Sequence, residues 1–69
     1  MLKLSERIHA LRKEKKLTQD EAAKKCEISI MSYCRYERGE REPSASVLWR
    51  MADFFDVSVD YLIGRTDER

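Results

Sequence analysis

Glycine and proline are scarce in this 69-residue chain, with two of the former and one of the latter. Tight turns must therefore be few, which disfavours a fold of many hairpins and favours helices joined by short links. Histidine occurs once, at His9, and cysteine twice, at Cys26 and Cys34. The two cysteines do not form a CxxC pair, so a zinc site lacks ligands. In a reducing compartment the expectation is two free thiols. No apolar run reaches the roughly 18 residues that a membrane helix needs. The opening Met-Leu-Lys-Leu-Ser-Glu lacks the apolar core of a signal peptide. No nucleophile–base pair and no phosphate-binding glycine loop is visible, which argues against an enzyme. Together these absences predict a cytoplasmic protein without metal, cofactor or membrane contact.

What the chain does have is charge and apolar residues in balance. Charged residues make up 39% and hydrophobic residues 42%, as in a folded domain rather than a disordered segment. The net charge of +1 is unevenly distributed. Residues 1–41 hold 11 Lys/Arg against 7 Asp/Glu, whereas residues 42–69 hold 3 against 6. A basic front half beside an acidic rear half suggests that the front faces a polyanion.

Periodicity and capping residues predict five helices. The first runs from Leu4 to about Lys15, with Leu4, Ile8 and Leu11 on one stripe. Thr18-Gln19-Asp20-Glu21 reads as a capping box opening a second helix, Gln19 to about Cys26, whose inner face is Ala22, Ala23 and Cys26. Glu27-Ile28-Ser29 is a very short link. Ser29 then caps a third helix, Ile30 to Arg38, and Gly39 ends it. Ser44 caps a fourth, about Ala45 to Phe55, with Leu48, Met51, Ala52 and Phe55 on its inner face. Ser58 caps a short fifth, Val59 to Ile63, which Gly64 stops. This gives an all-α, compact five-helix domain over residues 1–64, and a loose polar tail over residues 65–69.

Two short helices joined by three residues make a helix-turn-helix unit. Ala23 is small enough to let the two helices cross closely, and Ile28 fills the gap beneath the turn. At about 100° per residue, Tyr33 and Tyr36 share the inner side of the third helix with Ser29. Met31, Cys34, Arg35 and Arg38 fall on the opposite side, with Ile30 at the border. Such an N-terminal tip is shaped to enter a major groove. Arg35 can donate two hydrogen bonds to a guanine edge, and Ile30 and Met31 can pack on thymine methyls. Ser32 can reach a base edge or a phosphate, and Gln19 at the start of the second helix can approach phosphate. Each surface arginine also has a plain reading as a solvated charge, and Ile30 with Met31 as a patch for a protein partner. Cys34 on the outer side, near Arg35 and Arg38, is a candidate redox-sensitive thiol.

RIHALRKEKKLTQDEAA, ISIMSYCRYERG and PSASVLWRMADFFDVSVDYLIG together resemble the lambda-repressor-like helix-turn-helix family, also called the Cro/CI or Xre type. The resemblance covers about Arg7 to Gly64. It implies five helices and a sequence-specific transcriptional regulator, typically a repressor that binds a palindromic operator in double-stranded DNA as a homodimer. Carried over by position, it places Gln19, Ile30, Met31, Ser32 and Arg35 at base-reading positions and Thr18, Arg38 and Arg41 at phosphates. Arg12 and Glu37 match a partly buried ion pair tying the first helix to the third. The chain departs from the family in having Glu27 where the turn has glycine, which implies either a left-handed residue at some strain or a slightly different turn. Ala22 and Cys26 stand where leucine is frequent, and Tyr33 stands where isoleucine or valine is frequent. A repacked core, with Tyr33 filling the vacated volume, is expected. Glu40, Glu42 and the apolar Ile30 are less suited to phosphate and base edges than the family's usual residues.

One domain reads few bases, so a homodimer is expected. Phe54, Val59 and Ile63 are the candidate interface residues, with completion of the small core as the alternative. Two rival functions are an antitoxin or immunity-type regulator with a protein partner, and a protein-interaction module with weak or no DNA binding.

Overall fold

The computed structural model describes residues 3–69, so Met1 and Leu2 of the expected 1–64 domain lie outside the described residues. Five helices follow one another: α1 Leu4–Glu14, α2 Gln19–Lys25, α3 Ile30–Glu37, α4 Ala45–Phe55 and α5 Val59–Ile63. No strand occurs among the described residues, and no helix among them is long and apolar enough to cross a membrane.

Four of the five helix starts are set by a side-chain cap. Thr18, Ser29, Ser44 and Ser58 all sit in extended backbone and accept the amide three residues on, which satisfies one of the orphan donors of a helix start. At α2 the box is reciprocal, because Glu21 Oε1 also accepts the Thr18 amide at 2.8 Å. The first helix lacks such a cap. Its approach is fixed instead by the Lys3 amide, which donates to the Ile63 carbonyl at 3.2 Å. Gly64 permits this contact. Its φ is 91°, and a Cβ there would lie 2.9 Å from the Lys3 side chain.

Leu4, Ile8 and Leu11 of α1 are buried against Tyr33 and Tyr36 of α3, Met51, Ala52 and Phe55 of α4 and Leu62 of α5. Ala22, Ala23 and Cys26 bring α2 into the same cluster. Tyr33 is fully buried, as are Ala22 and Cys26. Burial pushes the Cys26 thiol up to about 11, so it behaves as a small apolar side chain.

The chain also ends helices without glycine, as one alternative at Glu27 anticipated and as nothing signalled at Lys16 or Asp56. Lys16, Glu27 and Asp56 all adopt positive φ, at 57°, 61° and 58°. These left-handed residues do the work of the missing glycines. The tail, expected to be loose, is tied back onto α1. Arg7, whose side chain is only 12% exposed, donates to the carbonyls of Tyr61 and Thr66 at 2.6 Å each and to Asp67 at 2.7 Å. Its guanidinium also stacks over the Tyr61 ring, 4.1 Å from the centroid. Arg69 grips Glu14 with both of its terminal nitrogens. Charge pairing and two part-buried carbonyls hold a segment that its polarity alone left free.

Glu27→Gly relieves a left-handed side-chain residue and is expected to stabilise the protein by about 0.5–1 kcal/mol, after allowing for glycine's larger chain entropy. Lys25→Gly, two residues earlier in helical backbone, is expected to destabilise it by about 1 kcal/mol. Thermal melts of the two variants measure both signs.

Candidate nucleic-acid interface

The second and third helices are held at a fixed angle by one carboxylate. Glu37, near the end of α3, has a side chain only 3% exposed. Its Oε2 accepts from Arg12 Nε at 2.7 Å, and its Oε1 accepts from Arg12 Nη2 and from Gln19 Nε2, each at 3.1 Å. His9 Nδ1 also lies 3.1 Å from Oε1. Arg12 is itself buried and donates from Nη1 to the Leu17 carbonyl at 2.8 Å, which fixes the link between α1 and α2. Three helices therefore meet at Glu37.

The electrostatics follow from that geometry. Burial by itself pushes the Glu37 carboxyl up, but the donors outweigh it and hold the group at about 2. Arg12 contributes most to this lowering, with smaller parts from Tyr33, His9 and Gln19. The Glu37 hydrogen bond is in turn the main cause of a raised Arg12, against an opposing effect of burial. The Tyr33 hydroxyl lies close enough to influence this pair, yet makes no hydrogen bond of ordinary geometry. Burial and the neighbouring carboxylate keep its phenol protonated far above the usual range.

The base-reading candidates sit around this anchor. Gln19 opens α2 and is half-buried, its Nε2 on Glu37 and its Oε1 accepting from Cys34 Sγ at 3.1 Å. One amide hydrogen and one lone pair remain free on it. Ile30 and Met31, in the first turn of α3, are 42% and 62% exposed. Half-buried Ser32 gives its amide to Ser29 Oγ at 3.1 Å and takes the Ser29 hydroxyl at 3.0 Å, which fixes its side chain toward the cap. Arg35 is exposed and has no ion-pair partner among the described residues. The outcome is a firm backbone carrying two apolar side chains and one free guanidinium.

The phosphate candidates differ in how available they are. Thr18 uses its hydroxyl oxygen and its amide in the α2 cap. Arg38 is paired with Glu40, Nε to Oε2 at 3.1 Å and Nη2 to Oε1 at 3.2 Å, so a phosphate must displace a carboxylate there. Arg41 is exposed and makes no ion pair among the described residues. Cys34, placed by the helical wheel on the outer side, is half-buried and bound to Gln19.

The apolar candidates Phe54, Val59 and Ile63 differ in their exposure. Phe54 packs on the core, its ring 5.0 Å from that of Phe55 and capped by the Lys15 ammonium at 5.3 Å. Ile63 is half-buried, and Val59 is 36% exposed. Val59 instead lines an open groove of about 290 Å³ with Trp49, Ala52, Asp53 and Val57. Trp49 is 72% exposed and escaped the sequence reading. Its signal was its place off the Leu48–Met51–Ala52–Phe55 stripe. His9 was also passed over, although it stands one turn before Arg12, the spacing at which helical side chains meet.

Residues 8–62 match a family model described as helix-turn-helix. An uncharacterised HTH-type transcriptional regulator of Bacillus subtilis strain 168, YqaE, is 42% identical over 66 residues, spanning 94% of this chain and 57% of its own length. The cryptic phage CTXphi transcriptional repressor RstR of Vibrio cholerae serotype O1 is 41% identical over 69 residues, spanning 97% of this chain and 62% of its own. Among solved structures, the P22 c2 repressor in complex with a synthetic operator superposes with a TM-score of 0.84 at 33% identity, over 87% of this chain and 91% of that one. The chain spans a little over half the length of the curated relatives it matches.

Glu37→Gln leaves Arg12 buried beside a neutral group and is expected to cost about 3–5 kcal/mol. The sign with pH follows from the lowered carboxyl. Glu37 contributes its full stability above its ordinary value of 4.5 and loses it as pH falls toward about 2. Urea midpoints measured across that window should fall for the native protein, and Glu37→Gln should lack this part of the acid dependence.

Proposed function

This chain belongs to the helix-turn-helix family, in its lambda-repressor-like branch, and from that premise we propose that it is a sequence-specific DNA-binding transcriptional regulator acting as a repressor. The family is one of transcriptional regulators and not of enzymes. The observation that carries the proposal is the exposed Arg35, without an ion-pair partner among the described residues, one turn behind the apolar tip of Ile30 and Met31, on a helix held by Glu37. In this reading α3 enters the major groove of double-stranded DNA. Arg35 donates to a guanine edge, Ile30 and Met31 pack on thymine methyls, and Ser32 and Gln19 contact the adjacent base edge or backbone. Thr18, Arg38 and Arg41 neutralise phosphates, with Glu40 released from Arg38 on binding. The protein would act in a prokaryotic cytoplasm or be phage-encoded.

Residues 1–64 form the reading domain in this proposal, and residues 65–69 strap it. Two copies on a palindromic site double the bases read. The groove of Trp49, Val57 and Val59, with Ile63 nearby, is the surface proposed for the second copy; Phe54 supports it from the core side. A second reading is favoured by the exposure of Ile30 and Met31 and by the pairing of Arg38 with Glu40. It is an interaction module with weak or no DNA binding, whose α3 tip meets protein; an antitoxin or immunity-type regulator would instead keep the DNA-binding role and meet its partner through the acidic rear half.

Binding to DNA from upstream of the gene, measured against salt, separates the two. The DNA reading expects log K to fall linearly with log salt, by about 0.9 per phosphate neutralised. It also expects Arg35→Ala to lose about 1–3 kcal/mol of affinity together with discrimination at one base position. No binding at low salt favours the protein-partner reading.

A further inference from the structure

Glu37 Oε1 is overcommitted. Gln19 Nε2, Arg12 Nη2 and His9 Nδ1 all lie 3.1 Å from it, whereas a carboxylate oxygen offers about two lone-pair directions. The orientation of the Gln19 amide follows from the same chemistry. A carboxylate can only accept, so it faces Nε2, and the Cys34 thiol donates to Oε1.

His9 decides how many donors compete. Its Nδ1 also lies 3.4 Å from Arg12 Nη2. We assign the neutral ring the Nε2–H tautomer, in which Nδ1 accepts from Arg12 and gives nothing to Oε1. An imidazolium donates from Nδ1, and among the described residues the acceptor recorded at that distance is Oε1. The ring is 53% exposed, so its protons exchange freely with water.

The charged and titratable neighbours come from two elements. Arg12 stands beside the ring on α1, with Glu6 and Lys13 one turn away on the exposed surface of that helix. From α3 come Glu37 and, behind it, the Tyr33 hydroxyl; α2 contributes the uncharged Gln19. Arg12 stays charged, Tyr33 stays protonated and Glu37 stays ionised throughout the range in which an imidazole titrates, about pH 5 to 8.

We propose that His9 is a positioning residue for Gln19: proton uptake by the imidazole claims Glu37 Oε1, loosens the bond from Gln19 Nε2 and frees that amide to turn outward. The link between His9 and Gln19 stands on this geometry alone, and its consequence for DNA rests on the function proposed above. A freed amide adds one donor to the face carrying Arg35, so acid strengthens DNA binding beyond what one added positive charge accounts for.

The test uses the whole chain, 15N-labelled and without DNA, between pH 5 and 8. The Gln19 side-chain amide signals are expected to move with the same midpoint as the His9 ring signals, and to stay flat in His9→Ala, a change at an exposed position. A stationary Gln19 amide while His9 titrates would overturn the proposal, whatever DNA does. DNA affinity at pH 6 relative to pH 8 is then expected to be about three- to tenfold greater in the native chain than in His9→Ala, the worth of one neutral hydrogen bond. That excess should vanish in a Gln19→Ala background, whereas a simple charge effect of His9 would persist in it and contradict the assigned role. Coupled His9 and Gln19 signals with no DNA binding at either pH would leave the positioning intact and refute the DNA reading.

Discussion

The Arg12–Glu37 pair is the constraint from which the rest of this small domain takes its geometry. Two opposite charges buried together recover little net stability, because each has lost its water. Their value here lies in direction. A bidentate guanidinium accepts few angles, so α1 and α3 cannot slide past one another without breaking two short bonds. The Leu17 carbonyl, held by the same arginine, fixes the turn into α2, and Gln19 on Glu37 fixes the start of that helix. A 69-residue chain has a limited apolar core with which to set such angles. Polar connections that permit one arrangement complement packing that tolerates several.

That anchoring explains why the outward side of α3 is arranged as it is. The main holds on the helix, Tyr33, Tyr36 and Glu37, lie on its inner side or at its C-terminal end. The N-terminal turn is left with Ile30 and Met31 exposed and its backbone tied only by the Ser29 cap. Arg35 projects from the next turn without an internal partner among the described residues. By contrast Arg38 is matched by Glu40, and Cys34 is taken up by Gln19. The tail works in the same manner on the other side of α1, where Arg7 and Arg69 hold α5 and the chain end by charge and carbonyl contacts.

The fold was legible because its signals are local. Four caps and two clear apolar stripes set helix positions to within a residue, as at α4, which runs from Ala45 to Phe55. Less legible were features that depend on residues far apart in sequence. Nothing near Arg7 announces Thr66 and Asp67, and nothing near Arg69 announces Glu14. Left-handed backbone at Lys16 and Asp56 also escaped, since propensity favours glycine there and the fold imposed the conformation regardless. Of the candidate interface, the family resemblance pointed to the Arg12–Glu37 pair, but the arrival of His9 and Gln19 at the same oxygen required three helices in place. Helical periodicity put Cys34 outside by angle alone. It could not show that Gln19 from another helix would cover it.

The proposed interface is the outward face of α3 together with the start of α2. Its most direct test is to titrate 15N-labelled protein with a short duplex at low salt, where phosphate contacts bind any sequence, and to follow every backbone amide. The account predicts shifts concentrated at Thr18, Gln19 and the segment from Ile30 to Arg35, with α4 and α5 little changed. Shifts centred on Trp49 and Val59, or none at all, would contradict it.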